Sequence, residues 1–277
     1  MKPYLFTSTA LPRPELFART IDSFKTNLTG VDWKESTLII NVDPLPAFFN
    51  GGTIFSHLEE DGVYKLIDDQ WHDTETLLGI ACKTFGRVVT RIWDEDFRKT
   101  AQLHYISGLR CTAPCWSFGG NFPRAVQWVF EKASKMTEHE FVFHLEDDWE
   151  MVEENSIDML ATGIRASGMM QAALLPTGMT RSHNQFVLCP SLICREAVEM
   201  AAAILKADGG NPEEQLRRFS MFRVNTYFVP SEGSAQVIDL GTDWRQAHGY
   251  LKDPPDFTTY AKVTPYAKEG NQTVVSK

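Results

Sequence analysis

The chain has 277 residues, 43% of them apolar and 23% charged, which excludes a disordered or fibrous protein and fits one large domain or two closely packed halves. A formal net charge of −9 and a pI near 5.3 deny it the global positive field that aids nucleic-acid binding. No apolar run approaches the roughly 18 residues of a membrane helix, so no membrane insertion is expected.

Residues 4 to 8 (YLFTS) predict a first strand. Pro14 then suits the first turn of a helix in which Leu16, Phe17, Ile21, Phe24 and Leu28 recur at helical spacing. TLIINVD (37 to 43) predicts a second strand ending in an acid, Asp43. TETLLGIACKTF (74 to 85) predicts a helix, and RVVTRIWD (87 to 94) a third strand ending in Asp94. After a long loop, NFPRAVQWVFEKASKM (121 to 136) predicts a helix with Pro123 at its start, and FVFHL predicts a fourth strand. Strands alternating with helices imply parallel βαβ units with right-handed crossovers.

The second half is less regular. QAALLPT (171 to 177) and NQFVLCPSL (184 to 192) read as strands, and REAVEMAAAILKAD (195 to 208) as a helix stopped by Gly209 and Gly210. PEEQLRRFSMF (212 to 222) reads as a second helix, TYFVP and QVIDLG as short strands, and the stretch after Pro254 as a polar tail. The five cysteines match no zinc spacing, and most of them fit buried thiols in a reducing, cytoplasmic setting.

The fourth strand ends in Glu146, Asp147 and Asp148, followed by Trp149. Three like charges at the tip of a buried strand repel one another, and they are tolerable only facing solvent or around a cation. Hard oxygen donors suit Mg²⁺ or Mn²⁺, and the carboxyl ends of parallel strands are where ligands bind in open α/β sheets. A solvated acidic corner is the alternative reading.

The acidic triplet within this order of elements resembles the family-2-like glycosyltransferases of the GT-A fold, over roughly residues 1 to 250. The resemblance implies an α/β, Rossmann-like, mostly parallel central sheet flanked by helices, in a single compact domain. It would comprise a nucleotide-sugar half (1–150), an acceptor and catalytic-base half (151–253) and a C-terminal tail (254–277). It also implies a nucleotide-sugar donor, expected to be a UDP-sugar, and Mn²⁺ or Mg²⁺. Asp148 is similar to the metal-ligating acid of the family's DxD-type motif. Asp147 and Glu146 resemble its ribose and outer acids, and Asp43 the acid that contacts base or ribose. Thr7 and Ser8 would lie near the nucleotide, with Asp94 at the end of the third strand. SFGGNFPRAV resembles the loop-to-helix element beside the donor, which brings in Gly120, Asn121 and Arg124, while Gly119 and Gly120 allow close backbone approach. NPEEQL is the nearest match to the family's acidic pair before a Leu, giving Glu213 the base role with Glu214 as neighbour or substitute. Glu stands there for the usual Asp. His248 resembles a C-terminal histidine that completes the metal shell in some members.

The resemblance implies transfer of one sugar to an acceptor hydroxyl. A base in the other half of the chain from the metal acids suits inversion. The acceptor is open among a glycan, a small molecule and a hydroxymethylated DNA base of the phage type. For DNA, only a local cluster such as Arg217, Arg218 and Arg223 could help, and solvated surfaces explain that cluster equally well. A nucleotidyltransferase is a rival, although TSTALPRPE lacks the glycines such enzymes place after the first strand. A non-catalytic nucleotide-sugar-binding module is another.

Overall fold

A computed structural model describes residues 1–43, 48–49, 52–53, 60–92, 122–174, 176, 186–207, 211–219, 222, 226–228, 235–241, 243–244, 250–252, 263–265, 268–269 and 272–273. The first half follows the alternation of the sequence. It runs β1 (Leu5–Ala10), α1 (Pro14–Asn27), β2 (Thr37–Val42), α2 (Glu60–Thr84), β3 (Arg87–Ile92), α3 (Phe122–Ser134) and β4 (Phe141–His144). The second half adds β5 (Trp149–Met151), α4 (Ile157–Ser167), β6 (Gln171–Ala173), β7 (Ser191–Cys194), α5 (Arg195–Ile204), α6 (Pro212–Arg217), β8 (Thr226–Phe228) and β9 (Val237–Asp239).

Among the described residues seven strands form one mixed sheet in the order β8-β6-β7-β4-β1-β2-β3. β1 pairs in parallel with β2 and β4, and β2 with β3. β7 runs antiparallel to both of its neighbours, β4 and β6, whereas β6 and β8 are parallel. The expected mostly parallel α/β sheet flanked by helices is therefore what the chain forms.

Alternation along β1 explains the two layers. Phe6 faces the side packed by Phe17, Ile21 and Phe24 of α1 and by Leu77 of α2. Leu5 faces the other, where α3 inserts Val126, Val129 and Phe130 and α5 inserts Ala197 and Val198. Phe143 of β4 anchors the first layer, with ring centroids 5.5 Å from Phe6 and 5.9 Å from Phe24. Gly86 joins α2 to β3, where a Cβ would lie 2.0 Å from the Lys34 carbonyl oxygen, so only glycine fits.

Several boundaries differ from the sequence reading. β1 continues to Ala10, so Thr7 and Ser8 lie within the sheet and are fully buried, not at its rim. The strand expected over 184–192 forms only from Ser191, because Pro190 offers no N–H to a ladder. Residues 186–190 are buried yet irregular. α5 ends at Ile204, where the Gln215 side chain takes both the N–H and the C=O of Lys206. α6 stops at Arg217, short of residue 222. α4 was not foreseen. It buries Ile157, Leu160, Ala161 and Ile164 and ends on Gly168 in the left-handed region at φ 68°.

Candidate functional site

The acidic triplet lies at the carboxyl end of β4, and its backbone is fastened on both sides. Leu145 N–H donates to the Thr7 carbonyl (2.8 Å), and the Thr20 hydroxyl of α1 donates to the Asp147 carbonyl (3.0 Å). Leu240 N–H donates to the Asp148 carbonyl (2.8 Å), and β5 then pairs antiparallel with β9.

The three side chains have different environments. Asp147 is 3% exposed and receives three hydrogen bonds from the described residues. These come from Leu11 N–H (3.1 Å), Arg13 Nε (3.1 Å, on Oδ2) and Arg13 Nη2 (2.7 Å, on Oδ1). The same Nη2 donates to Asp148 Oδ2 at 3.0 Å. Arg13, the residue before α1, is itself 2% exposed, and its guanidinium lies over the Trp244 ring at 5.2 Å. Burial lifts the Asp147 carboxyl to about 6, although Arg13 pulls it down. Glu146 accepts from the Trp149 indole N–H at 3.0 Å. Burial holds its proton affinity well above the ordinary carboxylate range, helped by the charges of Asp148, Asp147 and Glu213. The mutual repulsion of the triplet is thus relieved by a protein guanidinium and by a proton-retaining carboxyl.

Glu213 links the second half to this place. Its Oε1 accepts from Leu188 N–H at 2.7 Å, and its Oε2 receives Arg217 Nη2 at 3.1 Å. Glu213 and its neighbour Glu214 open α6, where the Asn211 side chain caps both their N–H groups. The irregular 186–190 segment needs acceptors for buried donors. Phe222 O takes Phe186 N–H, Gln171 Oε1 takes Val187 N–H, and Glu213 takes Leu188 N–H. Cys189 lies where both Glu213 and Glu146 raise its thiol pKa, after burial as the main cause. Cys189 packs against Trp149, the donor to Glu146, and follows Leu188, the donor to Glu213.

The other expected residues spread along the sheet. Thr7 Oγ1 and His144 Nδ1 are 3.1 Å apart under α3, and burial lowers the His144 pKa to about 4. Among the described residues His144 Nε2 and Ser8 Oγ have no hydrogen-bond partner. Asp43 is half-buried just past β2, and its charge acts on Arg91 of β3. Arg124 is exposed in the first turn of α3, and its carbonyl accepts from Arg91 at 3.3 Å. Asp94, Gly120, Asn121, Arg223 and His248 lie outside the described residues.

Among the described residues no group of three or more His, Cys, Asp or Glu side chains could hold a metal ion. Both oxygens of Asp147 and one of Asp148 already receive Arg13, so among the described residues the triplet by itself does not fit Mn²⁺ or Mg²⁺ as it stands. Arg13 escaped the sequence reading. The only signal is its position between Pro12 and Pro14 in the loop after β1.

No family model matches this sequence, and neither does any curated protein. Solved structures similar to the chain include TarS 1-349 of S. aureus, with a TM-score of 0.46, 9% identity and 88% of this chain covered. The chain spans 63% of that TarS chain. A cytidylyltransferase of Leptospira borgpetersenii has a TM-score of 0.41 and 9% identity, over 89% of this chain and 85% of that one. Mouse xyloside xylosyltransferase 1 has a TM-score of 0.41 and 9% identity, over 86% of this chain and 97% of that one.

Proposed function

We propose that the chain is a glycosyltransferase that moves one sugar from a nucleotide-sugar, expected to be a UDP-sugar, to an acceptor hydroxyl with inversion. The observation that supports this reading is that Glu213 of the second half holds Leu188, in the segment whose Val187 and Cys189 pack against Trp149, the donor to Glu146, so the second half supplies an acid on the side of the triplet. Carboxyls with strongly perturbed proton affinity cluster at functional sites. In this reading the donor lies against the acids at the end of β4, and Glu213 approaches from the acceptor side. A base there must accept the hydroxyl proton as attack proceeds. Glu213 would first exchange its bond to Arg217, which is half-exposed, while its bond to Leu188 keeps the carboxylate in place.

The acceptor is a glycan, a small molecule or a modified DNA base. Arg217 counts against DNA, because its guanidinium is committed to Glu213 and to the Phe186 carbonyl. The test is nucleotide release by purified protein across UDP-, GDP- and dTDP-sugars, with and without acceptor. Release from one donor, lost in Asp148→Ala, is expected. No release from any donor, together with no nucleotide binding, would overturn the reading in favour of a different activity.

A further inference from the structure

We infer that Arg13 is the resident cation of the acidic triplet, seated between Asp147 and Asp148, and that it supplies the charge balance a divalent ion would supply there. Resting on the function proposed above, it follows that the chain binds its nucleotide diphosphate without a metal ion.

Three features carry this. First, the contact is built and not incidental. Arg13 gives Asp147 a two-pronged pair through Nε and Nη2 and reaches Asp148 with the same Nη2. Planar guanidinium matches a carboxylate in this forked geometry, which a lysine or a hydrated ion does not reproduce. Second, the group is sequestered. Arg13 is 2% exposed, its backbone immediately precedes α1, and its guanidinium lies over Trp244. A guanidinium keeps its charge at every physiological pH, so the acids always have their counter-ion. An incoming Mn²⁺ would meet that fixed positive charge at hydrogen-bond range of the same oxygens. Third, Arg13 Nη1 is buried with no hydrogen-bond partner among the described residues. A buried charged donor without an acceptor calls for a partner. The acids do not serve it, so the positive charge of Arg13 is not exhausted by them and acts on a diphosphate bound beside the triplet.

The experiment is a Mn²⁺ titration followed by electron paramagnetic resonance, which reads free aquated ion and needs no activity. Wild-type protein is expected to retain no more Mn²⁺ than Asp148→Asn. Arg13→Met, which frees the acids, is expected to retain one ion and to lose it again when combined with Asp148→Asn. Wild-type retention of an ion that Asp148→Asn releases would overturn the proposal. So would a folded Arg13→Met protein that retains none. Should Arg13→Met fail to fold, wild-type protein still decides through UDP, GDP and dTDP binding by calorimetry in EDTA and in Mn²⁺. Equal affinity in both supports the proposal, and a gain of roughly tenfold or more with Mn²⁺ refutes it. Absence of nucleotide binding in both conditions counts against the glycosyltransferase reading alone, and the wild-type ion titration then judges Arg13 by itself.

Discussion

Replacing Arg13 by methionine removes three hydrogen bonds to the acids and leaves Asp147 buried with only Leu11 N–H as a donor among the described residues. Breaking a buried ion pair from one side costs about 3–5 kcal/mol, because the surviving charge is stranded. That cost is conditional on the charge. Burial already lifts Asp147 to about 6 with Arg13 present, and without Arg13 the carboxyl loses its largest downward pull and climbs further. Near pH 5 the carboxyl carries a proton in both proteins, so the charge contribution vanishes. What remains is the lost packing and hydrogen bonding, about 1–2 kcal/mol. Near pH 8 only the variant must neutralise or strand the group, at ~1.4 kcal/mol per pH unit of pKa difference. Urea unfolding followed by tryptophan fluorescence should therefore show a loss that grows by about 2 kcal/mol or more between pH 5 and pH 8. Adding Asp147→Asn should recover most of the loss at the higher pH. A loss that is flat with pH, or one below about 1 kcal/mol throughout, would refute the stranded-charge argument.

The wild-type protein should itself weaken as pH rises. Glu146 and Asp147 hold protons more tightly folded than unfolded, so the folded state binds more protons from the ordinary carboxylate range up to about 6 and beyond, and stability falls across that window. Glu146→Gln should flatten the slope of urea midpoint against pH, and an unchanged slope would contradict the assignment. Gly86→Ala drives a Cβ to within 2.0 Å of the Lys34 carbonyl and should cost about 2–3 kcal/mol in the same assay. Gly79→Ala, in open space within α2, should instead gain about 0.5–1 kcal/mol, and equal effects of the two would exclude the steric explanation. Gln171→Leu removes a buried amide that serves Val187 N–H, Val187 C=O, Ser191 Oγ and Thr226 Oγ1, and it should cost about 2–4 kcal/mol, with a loss below about 1 kcal/mol arguing against the network.

What could be read in advance was local. Phe17, Ile21 and Phe24 repeat at helical spacing, and all three are buried in α1. TLIINV carries enough β-branched residues to mark a strand buried on both faces, and every residue of β2 is buried. The same periodicity is present in Ile157, Leu160, Ala161 and Ile164, followed by Gly168, and marks α4 equally well. What could not be read was pairing at a distance. Arg13 and Asp147 stand 134 positions apart, and nothing in either neighbourhood names the other. Glu213 is legible as an acid before a leucine, but its hold on Leu188 depends on an irregular segment whose course no period describes. The candidate site is thus half legible: its acids announce themselves, while the groups that set their charge do not.

The fastening of the triplet's backbone bears on how its chemistry can be dissected. The segment is strung between two ladders like a cable between posts, moored to β1 upstream and to β9 downstream, with the Thr20 hydroxyl as a stay in the middle. Register slippage in one ladder would have to drag the other with it. Exchanging one carboxyl for an amide should therefore alter charge while the main chain stays put, so what the exchange reports is the electrostatic coupling among the acids and not a displaced backbone.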